Sequence, residues 1–377
     1  MKGKINKAKL MGEEKIPKIV LKFAIPTIAA MLVNAIYNAV DAMFVSWLGV
    51  TQAGAISVAF PIFMLILGIG LTFGTGAASY ISRLLGKEDE YEANCTASTA
   101  VFTTIIISVL FIVIGMIFMD PILRLVGATD TILPYAREYS TIIILGCIFP
   151  ILSRTLNNII RSEGNVKFNS IAIVAGAILN LILDPLFIFS LNMGIKGAAY
   201  ATIISQGITT IWLGMYFISG KSSIKISLKY VKFSKKIYSE IFKVGLPTFL
   251  FQLFMSISLG LINKNAAVYG SDAAVAAVGI ANRVFAIGMF IIFGFSKGFQ
   301  PIAGYNYGAR KYDRLKEAIT FSIKTTTIFT TVVSIVVMLL SRPIMGIFTE
   351  DIIVQSIGGK ALFALHTMFP LFGIQMI

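Results

Sequence analysis

Apolar stretches long enough to cross about 30 Å of hydrocarbon, roughly 20 residues each, recur along the whole of this chain. Ten are placed, near 20–47, 53–81, 96–119, 132–159, 170–191, 195–218, 241–263, 274–303, 318–340 and 352–377. Such a pattern admits an all-α polytopic membrane protein and little else. The first run follows a basic leader with seven lysines from Lys2 to Lys22 and has no small-residue cleavage site. It is therefore read as a span rather than a signal peptide.

Composition adds exclusions. Only 13% of the 377 residues are charged, and there are one histidine and two cysteines. A disulfide-stapled domain and a His/Cys metal centre are thereby ruled out. The net charge of +14 would suggest nucleic acid if it formed one face, but it alternates with the spans. With the N-terminus in the cytoplasm, 23 Lys and Arg residues fall on the inner side and five (Arg124, Arg137, Lys196, Lys264, Arg342) on the outer. Arg154 and Arg161 are counted on the inner side. The bias predicts a cytoplasmic N-terminus in a plasma-membrane protein, and nucleic acid is excluded as a partner.

The chain also repeats itself. At an offset of 221 residues Lys22, Pro26 and Thr27 fall on Lys243, Pro247 and Thr248, Gly49 on Gly270, and Ala53 on Ala274. One further residue of offset brings Gly76 onto Gly298, Gly86 onto Gly308, and Pro121-Ile122 onto Pro343-Ile344. After a gap, Phe149-Pro150 meets Phe369-Pro370. Six spans separate the two starts, so the halves enter the membrane from the same side, as in parallel-repeat transporters. The expected organisation is a leader (1–19), a six-helix bundle (20–219), a basic linker (220–240) and a second bundle (241–377). Because Ile377 falls at the position of Asn157, the second bundle is expected to hold four of six helices, as in a chain truncated at its C-terminus. The parent would have twelve helices in two bundles related by a pseudo-twofold axis along the membrane normal. The linker, with Lys221, Lys225, Lys229, Lys232, Lys235 and Lys236, is read as an ordinary cytoplasmic loop.

Two of the 18 carboxylates, Asp41 and Asp184, lie inside spans. A buried acid there is costly, so each is a functional candidate by default. Asp41, Asp184 and Thr202 each lie seven residues from the outer end of their span, and Asn180 is one turn below Asp184 on the same face. Paired acids can hold a proton between them, and the oxygen-rich set could ligate a hard cation such as Na+. No Lys or Arg of the first six spans is expected at matching depth. The repeat places Ile262 opposite Asp41, which confines the acid site to one half.

Other residues read more plainly. Lys297 should snorkel to the inner surface, and His366 should be a satisfied core residue. Cys95 and Cys147 should be free thiols. Arg283 is either a second-half counterpart of the acid site or a member of an ion pair. Gly70-x-x-x-Gly74, Gly294-x-x-x-Gly298 and Gly304-x-x-x-Gly308 suit close helix packing.

Several of these residues carry a family resemblance. Pro26 to Asp41, Arg161-Ser-Glu163-Gly164-Asn165, Asn180-x-x-x-Asp184-Pro185 and Asn192-x-Gly194-x-x-Gly197-Ala198-Ala199 with Thr202 resemble multidrug and toxic compound extrusion (MATE) transporters. The resemblance spans essentially the whole chain. It implies export of amphipathic, often cationic, compounds by a monomeric antiporter that uses an inward H+ or Na+ gradient and needs no cofactor. It also implies ion coupling at Asp41, Asn180, Asp184 and Thr202 with Tyr139, where Na+ would bind. Substrate contacts are implied at Met31, Asn34, Tyr37 and Asn157; Asn34 stands where a longer amide is common. The rival is a lipid-linked saccharide flippase of the same superfamily, which would line its cavity with basic residues. No nucleophile–base pair or phosphate loop supports an enzyme.

Overall fold

The computed structural model describes residues 7–269 and 272–377, without the side chains of Lys7, Ala42, Val50 and several residues between 256 and 272. The leader residues Lys2 and Lys4, the side chain of Lys264 and the repeat position Gly270 lie outside it. All regular structure among the described residues is helical. The first half comprises α1 (Lys7–Glu13), α2 (Ile16–Ser46), α3 (Val50–Gly86), α4 (Glu90–Ile117), α5 (Met119–Leu125), α6 (Leu133–Leu145), α7 (Ile148–Ser162), α8 (Val166–Pro185) and α9 (Gly194–Ile218). The second comprises α10 (Lys235–Tyr269), α11 (Asp272–Gly308), α12 (Tyr312–Leu339), α13 (Ser341–Phe348), α14 (Ile352–Thr367) and α15 (Phe369–Gln375). Among the described residues eight helices, or nine with a bent pair, are long and apolar enough to span a membrane. The span expected at 241–263 falls within α10, whose 35 residues would measure about 50 Å at the usual helical rise.

The expected fourth span is broken: α6 and α7 meet at an angle of 46°. Gly146 and Pro150 supply the cause. Proline has no N–H for the ladder and its ring collides with the carbonyl four residues earlier, here that of Gly146. A side chain on Gly146 would also run into Ile203 of α9, 2.5 Å from its Cγ2. The equivalent break between α14 and α15 again precedes a Phe-Pro pair.

The repeat is visible in the packing. Thr104 on α4 lies within 3.3 Å of Thr155 on α7; 222 residues later, Thr326 on α12 donates to the carbonyl of Gly373 on α15 at 2.8 Å. The halves also pack on each other in reciprocal fashion, α2 against α11 and α3 against α10. Gly298 approaches the Cα of Ala24 so closely that a Cβ would sit 2.8 Å from it, and its repeat partner Gly76 approaches the Ile241 carbonyl in the same way. Gly86 and Gly308 likewise abut the carbonyls of Tyr305 and Arg83. These contacts lie toward the N-terminal ends of α2 and α10, whereas Gly279, near the other end of α11, faces open space. The molecule is thus closed on the side of its N-terminus.

Three further links hold that side. Arg83 pairs with Glu240 at 2.7 Å. The α1 segment is held by the second half, where Asn306 Nδ2 donates to the Met11 carbonyl (2.9 Å), Lys311 Nζ to that of Gly12 (3.0 Å) and an Arg314 Nη2 to that of Glu14 (2.6 Å). The linker is more than a loop: Glu163 accepts from Ser222 Oγ (2.7 Å), Ser223 N (2.7 Å) and Ser223 Oγ (2.8 Å). Asn94 Oδ1 accepts from Lys225 N at 2.7 Å, and Thr99 Oγ1 exchanges hydrogen bonds with the backbone of Lys232. Glu163 lies between α7 and α8, and burial pushes its carboxyl above the usual range against the opposing effect of these donors.

Candidate functional site

Asn34, Tyr37 and Asp41 succeed one another at helical spacing on α2, which packs against α8. On α8, Ile173, Gly176, Ala177, Asn180 and Asp184 form a matching stripe. Asp184 is the last residue before Pro185, after which the helix widens into a π-turn over Leu186–Ser190. Such turns concentrate at functional sites, and here the sequence explains the turn: Pro185 removes an amide from the ladder. The chain reverses through Asn192 (φ 51°) and Gly194 (φ 55°). Gly197 then lets α9 reach the backbone of Phe187, where a Cβ would lie 2.6 Å from a carbonyl carbon. That approach brings Thr202 beside Asn180.

The resulting contacts are close. Asp184 is fully buried, and its carboxyl lies within interaction reach of that of Asp41. Two carboxyl groups so placed can hold a proton between them. With its amide oriented to satisfy both ends, Asn180 donates to Asp184 Oδ2 at 2.9 Å and accepts from the Thr202 amide at 3.2 Å. The Tyr37 side chain lies beside that of Thr202. Tyr139, buried on α6, lies within electrostatic reach of Asp41, Asp184 and Tyr37. Toward the far end of α2, Phe44, Trp47 and Phe189 pack with ring centroids 5.5–6.3 Å apart, an aromatic cover beside the acid pair.

A narrow cleft runs from this cluster between α2, α7, α8 and α9. It is lined by Asn34, Tyr37, Asn157, Asn180 and Thr202, and also by Ser153, Arg154, Ser205, Gln206 and Thr209. Met31 is half-buried and does not line it. Within the cleft Ser205 Oγ has no hydrogen-bond partner, so the lining offers polar groups to an occupant.

Two charge assignments need correction. Arg154, counted with the inner loops, is an intramembrane cation in the cleft and within electrostatic reach of Tyr37. The helical segment after the bend continues to Ser162, which leaves Arg154 two turns inside. Lys297 does not snorkel; it faces the first half, within electrostatic reach of Arg161 and Arg154, because α11 extends to Gly308 and places residue 297 three turns from its end. The periodicity of α7 carried the signal that was missed: residues 154, 157, 158 and 161 share one face. Arg283 is exposed and makes no ion pair among the described residues. His366 is buried, its Nδ1 2.9 Å from the Leu362 carbonyl, and packs edge-on against Phe285 and Phe369. Cys95 and Cys147 are buried free thiols.

Comparison with known proteins now bears on this geometry. The family model MatE matches twice, over residues 26–186 and 247–377. The chain belongs to the MATE family. The two matches begin at Pro26 and Pro247, the offset of the internal repeat. Among curated MATE relatives, the multidrug export protein MepA of Staphylococcus saprophyticus is 32% identical over 349 residues, covering 92% of this chain and 76% of its own length. Two solved structures are also similar. A MATE mutant superposes with a TM-score of 0.93 at 28% identity, covering 100% of this chain and 83% of its own. A multidrug resistance MATE transporter in an outward-facing conformation gives 0.90 at 29% identity, with 99% and 82% covered. As a MATE protein the chain is a polytopic membrane transporter and not an enzyme.

Proposed function

We propose that this chain is a multidrug efflux antiporter that exports amphipathic, often cationic, compounds in exchange for H+ or Na+ by alternating access. The pairing of the Asp41 and Asp184 carboxyls at the head of a cleft lined by Asn34, Tyr37 and Asn157 is the observation that supports this reading. With the shared proton removed, the pair carries two negative charges in a poorly solvated place and attracts a cationic substrate. Protonation, or Na+ held by the two carboxylates, Asn180 and Thr202, cancels that attraction. The ion and the substrate therefore favour different charge states of one cluster, which is the differential affinity that coupling requires. The name of the Staphylococcus relative supports the substrate class. Reciprocal glycine packing on the N-terminal side supports two alternating arrangements, since the same contacts must part to open it. We place the N-terminus in the cytoplasm of a plasma-membrane protein on the Lys/Arg asymmetry.

Asp41→Asn is expected to abolish drug resistance in cells at unchanged protein level; normal resistance would overturn the proposal. Ethidium efflux from everted vesicles, driven separately by pH and sodium gradients, assigns the ion. A second reading, a lipid-linked saccharide flippase, draws support from Arg154 in the cleft and expects efflux under neither gradient.

A further inference from the structure

The acid cluster has a counterpart of opposite sign. Arg154 and Arg161 occupy one face of α7, and Lys297 approaches them from α11, across the boundary between the two halves. Arg161 is only 3% exposed. Its guanidinium donates to Asn158 Oδ1 and, at 3.1 Å, to Gln300 Oε1, both neutral oxygens. Arg154 lines the cleft beside the neutral Tyr37 hydroxyl. None of the three cations pairs with a carboxylate among the described residues.

Buried cations need compensation by an opposite charge as well as by hydrogen bonds. Arg161 is buried and Arg154 and Lys297 are half-buried; three cations so placed without an acid repel one another, and the repulsion acts across the closed side of the molecule, where the halves otherwise pack by glycine contact. Two guanidinium forks and an ammonium converging from different elements match an oxyanion that can accept several charge-assisted hydrogen bonds.

We propose that α7 and α11 form an anion site in which Arg154, Arg161 and Lys297 hold a phosphate-type oxyanion between the two halves. The bound anion neutralises the repulsion between the halves and so favours the state closed on the N-terminal side. This site adjoins the cleft through Arg154, does not include the Asp41–Asp184 pair, and is argued without either functional reading given above. Its ligand is either the headgroup of an anionic lipid or a free oxyanion.

The test uses the intact chain in neutral detergent and follows thermal unfolding. One arm adds inorganic phosphate against chloride at matched ionic strength. The other adds phosphatidylglycerol against phosphatidylcholine in mixed micelles. The melting temperature is expected to rise with an anion. Lys297→Gln and Arg154→Gln should weaken apparent affinity roughly tenfold or more, the loss of one charge-assisted hydrogen bond. Lys297→Arg, and Lys221→Gln on the exposed linker, should respond like the parent chain. A response to phosphatidylglycerol alone identifies a lipid headgroup; a response to both identifies a free oxyanion. The proposal is overturned if neither anion stabilises the parent chain. It is equally overturned if Lys297→Gln and Arg154→Gln respond as the parent does, or if Lys221→Gln loses the response equally.

Discussion

The two halves of this molecule are built to one plan and carry different chemistry. At the repeat offset Asn34, Tyr37 and Asp41 fall on Met255, Ser258 and Ile262, and Arg154 falls on Ile374. Every one of these polar cleft residues except Tyr37 is replaced by an apolar side chain. The residues that set helix-to-helix distance behave oppositely: Gly76 and Gly298, Gly86 and Gly308, Thr104 and Thr326 are kept at equivalent places. Packing constraints therefore govern the shared frame, while Asn34, Asp41 and Arg154 have polar or charged side chains in the first copy alone.

The sharpest way to break this comparison is to move the acid. Asp41→Asn combined with Ile262→Asp is expected to remain as inactive in drug efflux as Asp41→Asn alone. Ile262 is exposed, and an acid placed there is parted from Asp184, Asn180 and Thr202. Recovered efflux would mean that the halves are chemically interchangeable. A smaller effect is expected for the frame. Gly76→Ala and Gly298→Ala should each destabilise the protein by about 1–3 kcal/mol through overpacking against backbone. Gly279→Ala, facing open space, should be neutral or gain up to about 1 kcal/mol from helix propensity. Thermal unfolding in detergent checks all three, and unequal costs at Gly76 and Gly298 would show that the repeat contacts are not equivalent. The smallest effect sharpens the same point. Thr104→Val and Thr326→Val should each cost about 1 kcal/mol, the usual net worth of one intramolecular hydrogen bond, and the two costs should agree.

Much of this was legible in the sequence because the bilayer makes polar residues conspicuous. Asp41 and Asp184 stand out in apolar runs, and counting residues to the outer span end put them beside Thr202 and Asn180. The repeat was legible in its prolines and glycines, since those residues mark bends and close approaches. Arg154 and Lys297 were not, because counting charges by the nearest loop assumes that a cation near a helix end points outward. Whether it does depends on how far the helix runs past the residue and on what packs against that face. The contacts of the linker were hidden for a related reason: its lysines mark a cytoplasmic loop, whereas its serines and backbone amides carry the contacts to Glu163, Asn94 and Thr99. Pro150 was in view, but a proline alone does not set a bend of 46°; Gly146 and the approach of Ile203 complete it.

The seam between linker and first half has a mechanical consequence. Hydrogen bonds from Ser222 to Lys232 fasten the segment to α4 and to the α7–α8 turn, and α10 starts at Lys235. Only a few residues of slack separate the last fastened amide from a rigid 35-residue helix. In the alternating-access reading proposed above, this seam makes the start of α10 a fulcrum about which the second half swings rather than slides. Displacements would then grow with distance along that lever, smallest beside Glu240 and largest at the opposite membrane face.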